Sequence, residues 1–393
     1  MPVLRSIRER FGRERPLEGI AIGACLHVTS ETANLVRALR AAGAEVALCA
    51  SNPLATQDDV AAALVAEHGA EVHAVHGDGP ERWAERVAAV VARAPRITLD
   101  DGADLLGALH GARPDLLDGL LGGTEETTTG LVRLRAMEAD GVLTCPVIAV
   151  NEARAERAFN DRFGTGQSVI DGILRTTNLL LAGHTVVVLG YGWTGRGVAL
   201  RAHGLGASVI VCKVDPLRAL EARMEGFAVM PALAAAERGD VFVTVTGVRD
   251  VLRREHFARM KDGAVLANAG HFDVEISLAD LERAAEGRVR EVRPLVAQYD
   301  VGGRALNLLA GGRVVNLAAA EGHPAAVMDV SFALQALSAE ALARGGWAPG
   351  VHAVPEAIER EVAALKLAAL GVEIDALTAD QAAYLRSWRQ PGG

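Results

Sequence analysis

The chain has 393 residues, half of them apolar and 23% charged, with a formal net charge of −9. That is the composition of a folded globular protein of two to three domains. The acidic balance argues against nucleic acid or an anionic membrane as the main partner. No run reaches the ~18 consecutive apolar residues of a membrane span.

The opening MPVLRSIRERFGRERP is charged and lacks an apolar signal core, which fits a cytoplasmic protein. Residues 18–150 then alternate strand and helix patterns. GIAIGACLHV reads as a buried strand, ETANLVRALRAAG as an amphipathic helix with a glycine stop, AEVALCAS as the next strand, and RITLDD as a strand ending in carboxylates. Polar residues cluster after the carboxyl ends of these strands: His27, Thr29 and Glu31; Asn52, Thr56 and Gln57; Asp100, Asp101 and Asp104; Glu125, Glu126 and Thr127 to Thr129. Open α/β sheets bind ligands at that edge, although each residue alone would serve equally as a cap or turn. The four cysteines, Cys25, Cys49, Cys145 and Cys212, lack metal-ligand spacing and read as reduced, mostly buried thiols, so no metal is expected.

Residues 151–183 read as a connector followed by a long helix. The stretch HTVVVLGYGWTGRGVALRAHGLGASVIVCKVDP comes next, at 184–216. Thr185 to Leu189 is a buried strand, and Gly190, Gly192 and Gly195 supply G-x-G-x-x-G before a helix, with Thr194 inside the turn. The first glycine permits the turn, the second lets backbone approach a pyrophosphate, and the third lets helix pack on strand. In this strand–turn–helix–strand setting the motif predicts a dinucleotide site. The second strand, Ser208 to Val214, carries Lys213 where an acid for the ribose hydroxyls is usual, with Asp215 two residues later. Lys213 suits a 2′-phosphate and hence NADP, or simply solvent; Asp215 suits ribose hydroxyls. The expectation is NAD, with NADP left open. VFVTVTG, with Thr246, and KDGAVLANAG, with Asn268, continue the alternation; residues 325–345 read as a helix and 351–393 as a polar helical tail.

By this point the chain resembles the S-adenosylhomocysteine hydrolases (adenosylhomocysteinases). The matching stretches are ACLHVTSETANL, SNPLATQDDVAAAL, LDDGADLL, EETTTG, FGTGQSVIDGI, GYGWTGRG, DPLRALEARMEGF, NAGHFDVEI and NLAAAEGHP, from about residue 18 to 345. GYGWTGRG, AAAEGHP and the YLRSW ending resemble the short archaeal and thermophile branch. The resemblance implies bound NAD that transiently oxidises a ribose 3′-hydroxyl, loss of the acidified C4′ proton, β-elimination of the 5′ substituent, and re-reduction. It further implies Asp101 as the base at C4′, His27 by the leaving group, and Glu126 as an active-site carboxylate. Thr29, Glu31 and His323 fall at the adenine, with Gln57 a further substrate-binding candidate, Thr127, Thr128 and Thr129 at the nicotinamide end, and Asn268, His271 and Asn316 near nicotinamide and ribose.

The pattern departs at 151–161. The family reads roughly N-D-S-x-x-K-x-x-F-D-N; here Glu156 replaces the lysine, Asn160 the aspartate and Asp161 the asparagine. A charge reversal in a buried site is costly unless substrate or neighbours change with it. Three readings follow: an ordinary thioether hydrolase, an NAD-binding pseudoenzyme or sensor, and a specialised nucleoside 5′-dehydratase. The third is the expectation from sequence. It would give a 4′,5′-unsaturated adenine nucleoside of the psicofuranose or decoyinine type, found among antibiotics, with Glu156 taking the hydroxyl proton and Asn160 and Asp161 binding the altered sugar.

The fold expected is α/β, two doubly wound parallel-sheet domains. The first, for substrate, spans 1–150 plus 325–350. The second, for NAD, spans 165–322. Connectors near 151–164 and 323–326 would act as hinges. Residues 351–393 are expected to make subunit contacts in a homotetramer.

Overall fold

The computed structural model describes residues 1–388. Two sheets organise the chain. The first takes β1 (Ala21–Leu26), β2 (Glu45–Ala50), β3 (Glu71–His73), β4 (Ile97–Asp100), β5 (Gly122–Glu125) and β6 (Pro146–Ala149). The second takes β7 (Thr185–Leu189), β8 (Ser208–Cys212), β9 (Ala228–Val229), β10 (Val241–Thr244), β11 (Val265–Asn268), β12 (Val289–Arg293), β13 (Val296–Val301) and β14 (Arg304–Leu309). A last strand, β15 (Gly350–Ala353), returns to the first sheet beside β6.

The first sheet is parallel throughout, in the order β15–β6–β5–β4–β1–β2–β3. Its inner strands β1, β2, β4 and β6 are short, largely apolar and almost wholly buried, as parallel strands covered on both faces require, while the edge strands β3 and β15 are only partly buried. The order reverses between β1 and β4. Such a switch point splays the following loops apart and leaves a crevice at the carboxyl edge. The loops there carry His27, just after β1, and Asp101, just after β4.

The second sheet runs β12–β13–β14–β11–β10–β7–β8–β9, with its switch between β7 and β10. It corrects the all-parallel expectation: β12, β13 and β14 form an antiparallel meander. The physical reason is connection length. Only two residues part each pair of these strands, and a connection that short permits a hairpin but no crossover.

A second correction concerns the tail. Its first residues are β15, an edge strand in register with Pro146–Ala149, and helix Glu356–Ala369 then packs on helix Ala325–Arg344. The last five residues of the segment expected to make subunit contacts, 389–393, lie outside the described residues. Helix Ala325–Arg344 is long and apolar enough to cross a membrane, yet 72% of its most apolar window is buried inside the protein. It joins the core of the first sheet through Phe332, Leu334, Leu337 and Leu342. Each such leucine contributes roughly 1.5–3 kcal/mol by burial. One of its buried acids, Asp329, accepts the Val3 and Leu4 amides at 3.2 and 3.0 Å and Lys366 Nζ at 3.0 Å. The N-terminal helix Pro2–Glu14 is thereby fixed to it.

Between the sheets the chain does not run as a plain connector. Residues Glu156–Thr165 form a π-helix that leads directly into helix Gly166–Thr177. A π-helix closes its hydrogen bonds at i→i+5, so a face repeats roughly every fourth to fifth residue. Glu156, Asn160, Asp161 and Thr165 follow that spacing, and all four face one cleft. The segment lies close against helix Trp193–Gly204. A Cβ on Gly166 would stand 2.6 Å from the Gly197 carbonyl carbon, so glycine is required for this approach.

Candidate active site

A cleft of about 450 Å³ opens between the carboxyl edges of the two sheets. It gathers the seven residues expected to be catalytic: His27, Asp101, Glu126, Glu156, Asn160, Asp161 and His271. Thr29, Glu31, Gln57 and His323 line it too, as do Thr127, Thr194 and Asn316. No lysine or arginine is among its lining residues.

One corner pairs opposite characters. His27 Nε2 lies 3.3 Å from Asp101 Oδ2. Ser51 Oγ sits 3.5 Å from His27 Nδ1 and 3.4 Å from Asp101 Oδ2. The loop bearing Asp101 is locked from beneath. Glu125 accepts the amides of Gly102, Ala103 and Thr127 at 2.8–2.9 Å, and Asp100 accepts those of Leu105 and Leu106 at 2.9 and 3.1 Å. Burial raises both acids, Asp100 to about 7. Asp104 pairs with Arg133 at 2.8 Å. These three carboxylates therefore shape the loop, and Asp101 alone of the cluster reaches the cleft.

The opposite corner collects like charges. Glu126 accepts from Ser331 Oγ and Gln335 Nε2, and Glu156 accepts from Asn160 Nδ2. Glu156 is 1% exposed, and its Oε2 has no partner; nor has Asn160 Oδ1. Desolvation first and the charge of Asp101 second push Glu126 up to about 8. Desolvation, then Glu126 and Asp161, push Glu156 well above the usual carboxylate range. Asp161 rises to about 6 by burial, with Arg157 opposing.

Also on the cleft wall, His323 Nε2 lies 2.7 Å from Thr165 Oγ1. Burial, then the charge of nearby His27, lower it to about 4, so it is neutral at pH 7.

The dinucleotide turn fits its expected guest. Gly190 has φ +116°, which a side chain rarely adopts. Gly192 caps helix Trp193–Gly204 without a side-chain cap, and a Cβ there would meet nothing within 4 Å. The space in front of the first-turn amides is therefore open to a pyrophosphate. Gly195 packs so tightly on Gly190 that a Cβ would collide with its carbonyl. Lys213 is half-buried at the end of β8, and exposed Asp215 caps helix Pro216–Met224 through the Arg218 amide at 3.0 Å.

Other cofactor candidates lie outside the cleft. Thr128 Oγ1 donates to Asn151 at 2.9 Å beside Thr129, and Thr246 Oγ1 donates to buried Glu275 at 2.8 Å. Asn268, at the end of β11, is bonded within the protein. Its amide is fully used within the protein, donating to Gly270, Phe272 and Gly312 carbonyls and accepting from Thr244 Oγ1 and the Gly270 amide. It braces the turn that presents His271. Ser51, Ser331 and Gln335 escaped the sequence reading. Ser51 opens a matched stretch and could have been found; Ser331 and Gln335 lie over 200 residues from Glu126 with no motif signal.

The family profile described as S-adenosyl-L-homocysteine hydrolase, NAD binding domain matches residues 161–322, and S-adenosyl-L-homocysteine hydrolase matches residues 1–115. The adenosylhomocysteinase of Aquifex aeolicus is 58% identical over 391 residues, covering 99% of this chain and 93% of the relative. That of Gloeobacter violaceus is 55% identical, covering 99% and 91%. The S-inosyl-L-homocysteine hydrolase of Methanocaldococcus jannaschii is 53% identical over 392 residues, covering 99% and 94%. Among solved structures, the A chain of dipicolinate synthase from Bacillus subtilis has a TM-score of 0.52 at 15% identity, covering 84% of this chain and 98% of its own. That likeness concerns the fold alone.

Proposed function

The chain belongs to the S-adenosyl-L-homocysteine hydrolase family and is an NAD-binding enzyme of it, and from that premise we propose that it cleaves the 5′ substituent from an adenine nucleoside thioether. The observation that carries this reading is the His27–Asp101 pair at 3.3 Å in a cleft that also reaches the dinucleotide turn at Thr194. Relatives named for S-adenosyl- and S-inosyl-homocysteine support the thioether over the dehydratase expected from sequence.

Glu31, Thr29 and Gln57 would hold the base. A carboxylate at Glu31 accepts from a 6-amino group and repels a 6-oxo group, which favours adenine over hypoxanthine. Neutral His323 adds a donor or acceptor without charge. Gly190, Gly192 and Gly195 would hold NAD, which would supply a hydride acceptor for the sugar 3′ carbon. Glu156 and Glu126 receive the proton of that hydroxyl. Asp101 removes the C4′ proton, which an adjacent ketone acidifies. His27 gives a proton to the leaving sulfur, with Ser51 fixing the tilt of its ring. The connectors at 151–164 and 323–326 act as hinges whose closure excludes water. Subunit contacts run through the tail, where Val372, Ile374, Leu377 and Leu385 expose apolar side chains; a homotetramer is the proposed assembly.

One observation favours the dehydratase as a second reading. Homocysteine carries a carboxylate, and the cleft is lined by Glu31, Asp101, Glu126, Glu156, Asp161 and Glu321 with no lysine or arginine. A neutral 5′-hydroxyl meets no such repulsion. The test is mass spectrometry of the enzyme with NAD and either S-adenosylhomocysteine or an adenine nucleoside bearing a 5′-hydroxyl. Release of homocysteine upholds the first reading; loss of one water with the thioether untouched replaces it by the second.

A further inference from the structure

The two carboxyl oxygens of Glu156 differ. Oε1 accepts from Asn160 Nδ2, and Oε2 has no partner within the protein. The side chain is 1% exposed, yet it belongs to the lining of the cleft. Glu126, by contrast, receives two side-chain donors, from Ser331 and Gln335. Asp101, Glu126, Asp161, His27, His271 and His323 share the cleft with Glu156, and no lysine or arginine does. A buried carboxyl with one donor, acids for neighbours and no cation keeps its proton. With Oε1 engaged as acceptor, that proton sits on Oε2. Asn160 Oδ1, also buried and unpartnered, offers an acceptor next to it.

We propose that Glu156 works as a neutral carboxylic acid, donating a hydrogen bond from Oε2 to the oxygen on the sugar 3′ carbon, and that this bond stabilises the enolate formed when Asp101 removes the C4′ proton. This role rests on the reading above and concerns the step after oxidation. The hydroxyl proton lost in oxidation joins the acids of this corner, and Glu156, with the fewer donors, holds one. Asp101 then takes the C4′ proton, the C–H pair becomes the C3′–C4′ double bond, and the carbonyl π pair moves onto oxygen. Return of that pair restores the carbonyl. The C3′–C4′ π pair shifts to C4′–C5′, and the 5′ substituent leaves with its bonding pair and takes a proton from His27. Glu156 gives up no proton in this sequence. An enolate oxygen is a stronger acceptor than a ketone, so the bond from Glu156 tightens as charge develops. An ionised Glu156 would repel the same oxygen and slow the step. Asn160 Oδ1 accepts from a hydroxyl on the neighbouring sugar carbon.

Two measurements on the full chain test this. The first needs no turnover. In a Glu126→Gln background, adding Glu156→Gln should remove a protonated-carboxyl stretch from the infrared spectrum at neutral pH; an unchanged spectrum overturns the proposal. The second supplies adenosine and NAD in heavy water. Reduced nicotinamide is read by absorbance and deuterium at C4′ by mass spectrometry. Exchange rate per reduced enzyme isolates the proton removal from the oxidation before it. Glu156→Ala should lower that rate about 100-fold. Glu156→Gln, which keeps an N–H donor, should lower it about tenfold or less. Exchange as fast as in the parent, or faster, in both variants marks Glu156 as ionised and overturns the proposal, as does an equal loss in both. If adenosine never reduces the nicotinamide, the functional reading falls and this role falls with it; reduction with unaffected exchange removes the role alone.

Discussion

The two corners of the cleft solve opposite electrostatic problems. At His27, Asp101 and Ser51, an acid faces a base across 3.3 Å. At Glu126, Glu156 and Asp161, three acids share a pocket whose lining holds no lysine or arginine, and they answer by binding protons. A charged pair can sit at a half-open edge, whereas acids crowded together stay folded at neutral pH only if some are neutral. The first corner is built to exchange a proton between partners. The second is built to store one.

The strongest way to break the contrast is to silence the first corner. Asp101→Asn removes the acceptor at C4′ and should lower turnover about 10³-fold, while nucleoside oxidation, read by nicotinamide absorbance, continues. Next, the second corner can be converted into the first. Glu156→Lys puts an ammonium between Glu126 and Asp161. It should return both to the ordinary carboxylate range, seen as the loss of protonated-carboxyl infrared intensity at neutral pH; persistence of that intensity would sink the electrostatic account.

A smaller effect comes from pH. Glu126 titrates near 8 and Asp161 near 6 in the folded protein, against roughly 4 in an unfolded chain. The folded state therefore holds more protons across that window, and stability is full below pH 4 and falls as pH rises towards 8 for this corner's contribution. The slope is at most about 1.4 kcal/mol per pH unit for each proton. Urea unfolding from pH 5 to 8 should show the decline in the parent and a shallower one in Glu126→Gln. Ser51→Ala is the mildest change. It leaves the His27–Asp101 pair intact and should cost about tenfold or less in turnover, with the acid limb of the pH profile displaced; an unchanged profile would assign Ser51 to packing.

The corners also differ in how far sequence exposes them. His27 and Asp101 follow strand ends directly, so the strand pattern and the matched stretches place both at the carboxyl edge of the sheet; the strand order that makes that edge a switch point needs the structure. The glycine turn after β7 was equally legible, because its chemistry is local. Glu156, Asn160 and Asp161 were legible as substitutions, but their shared face was not: apolar periodicity offers a 3.6-residue helix, and the segment is wound at i→i+5. Ser331 and Gln335 reach Glu126 only through tertiary packing across 205 and 209 positions. β15 is four residues within a tail of helical composition, too short to announce itself.

The π-helix makes chain length part of the site. An α-helix turns about 100° per residue, so the same sequence wound as α would carry Asp161 about 140° around the axis from Glu156 and Thr165 to the far side. Composition would be unchanged and the wall of the cleft dispersed. Whatever this wall recognises is thus encoded in the phase of the backbone as well as in its letters. Losing a single residue between 157 and 159 would erase it as surely as replacing the acids themselves.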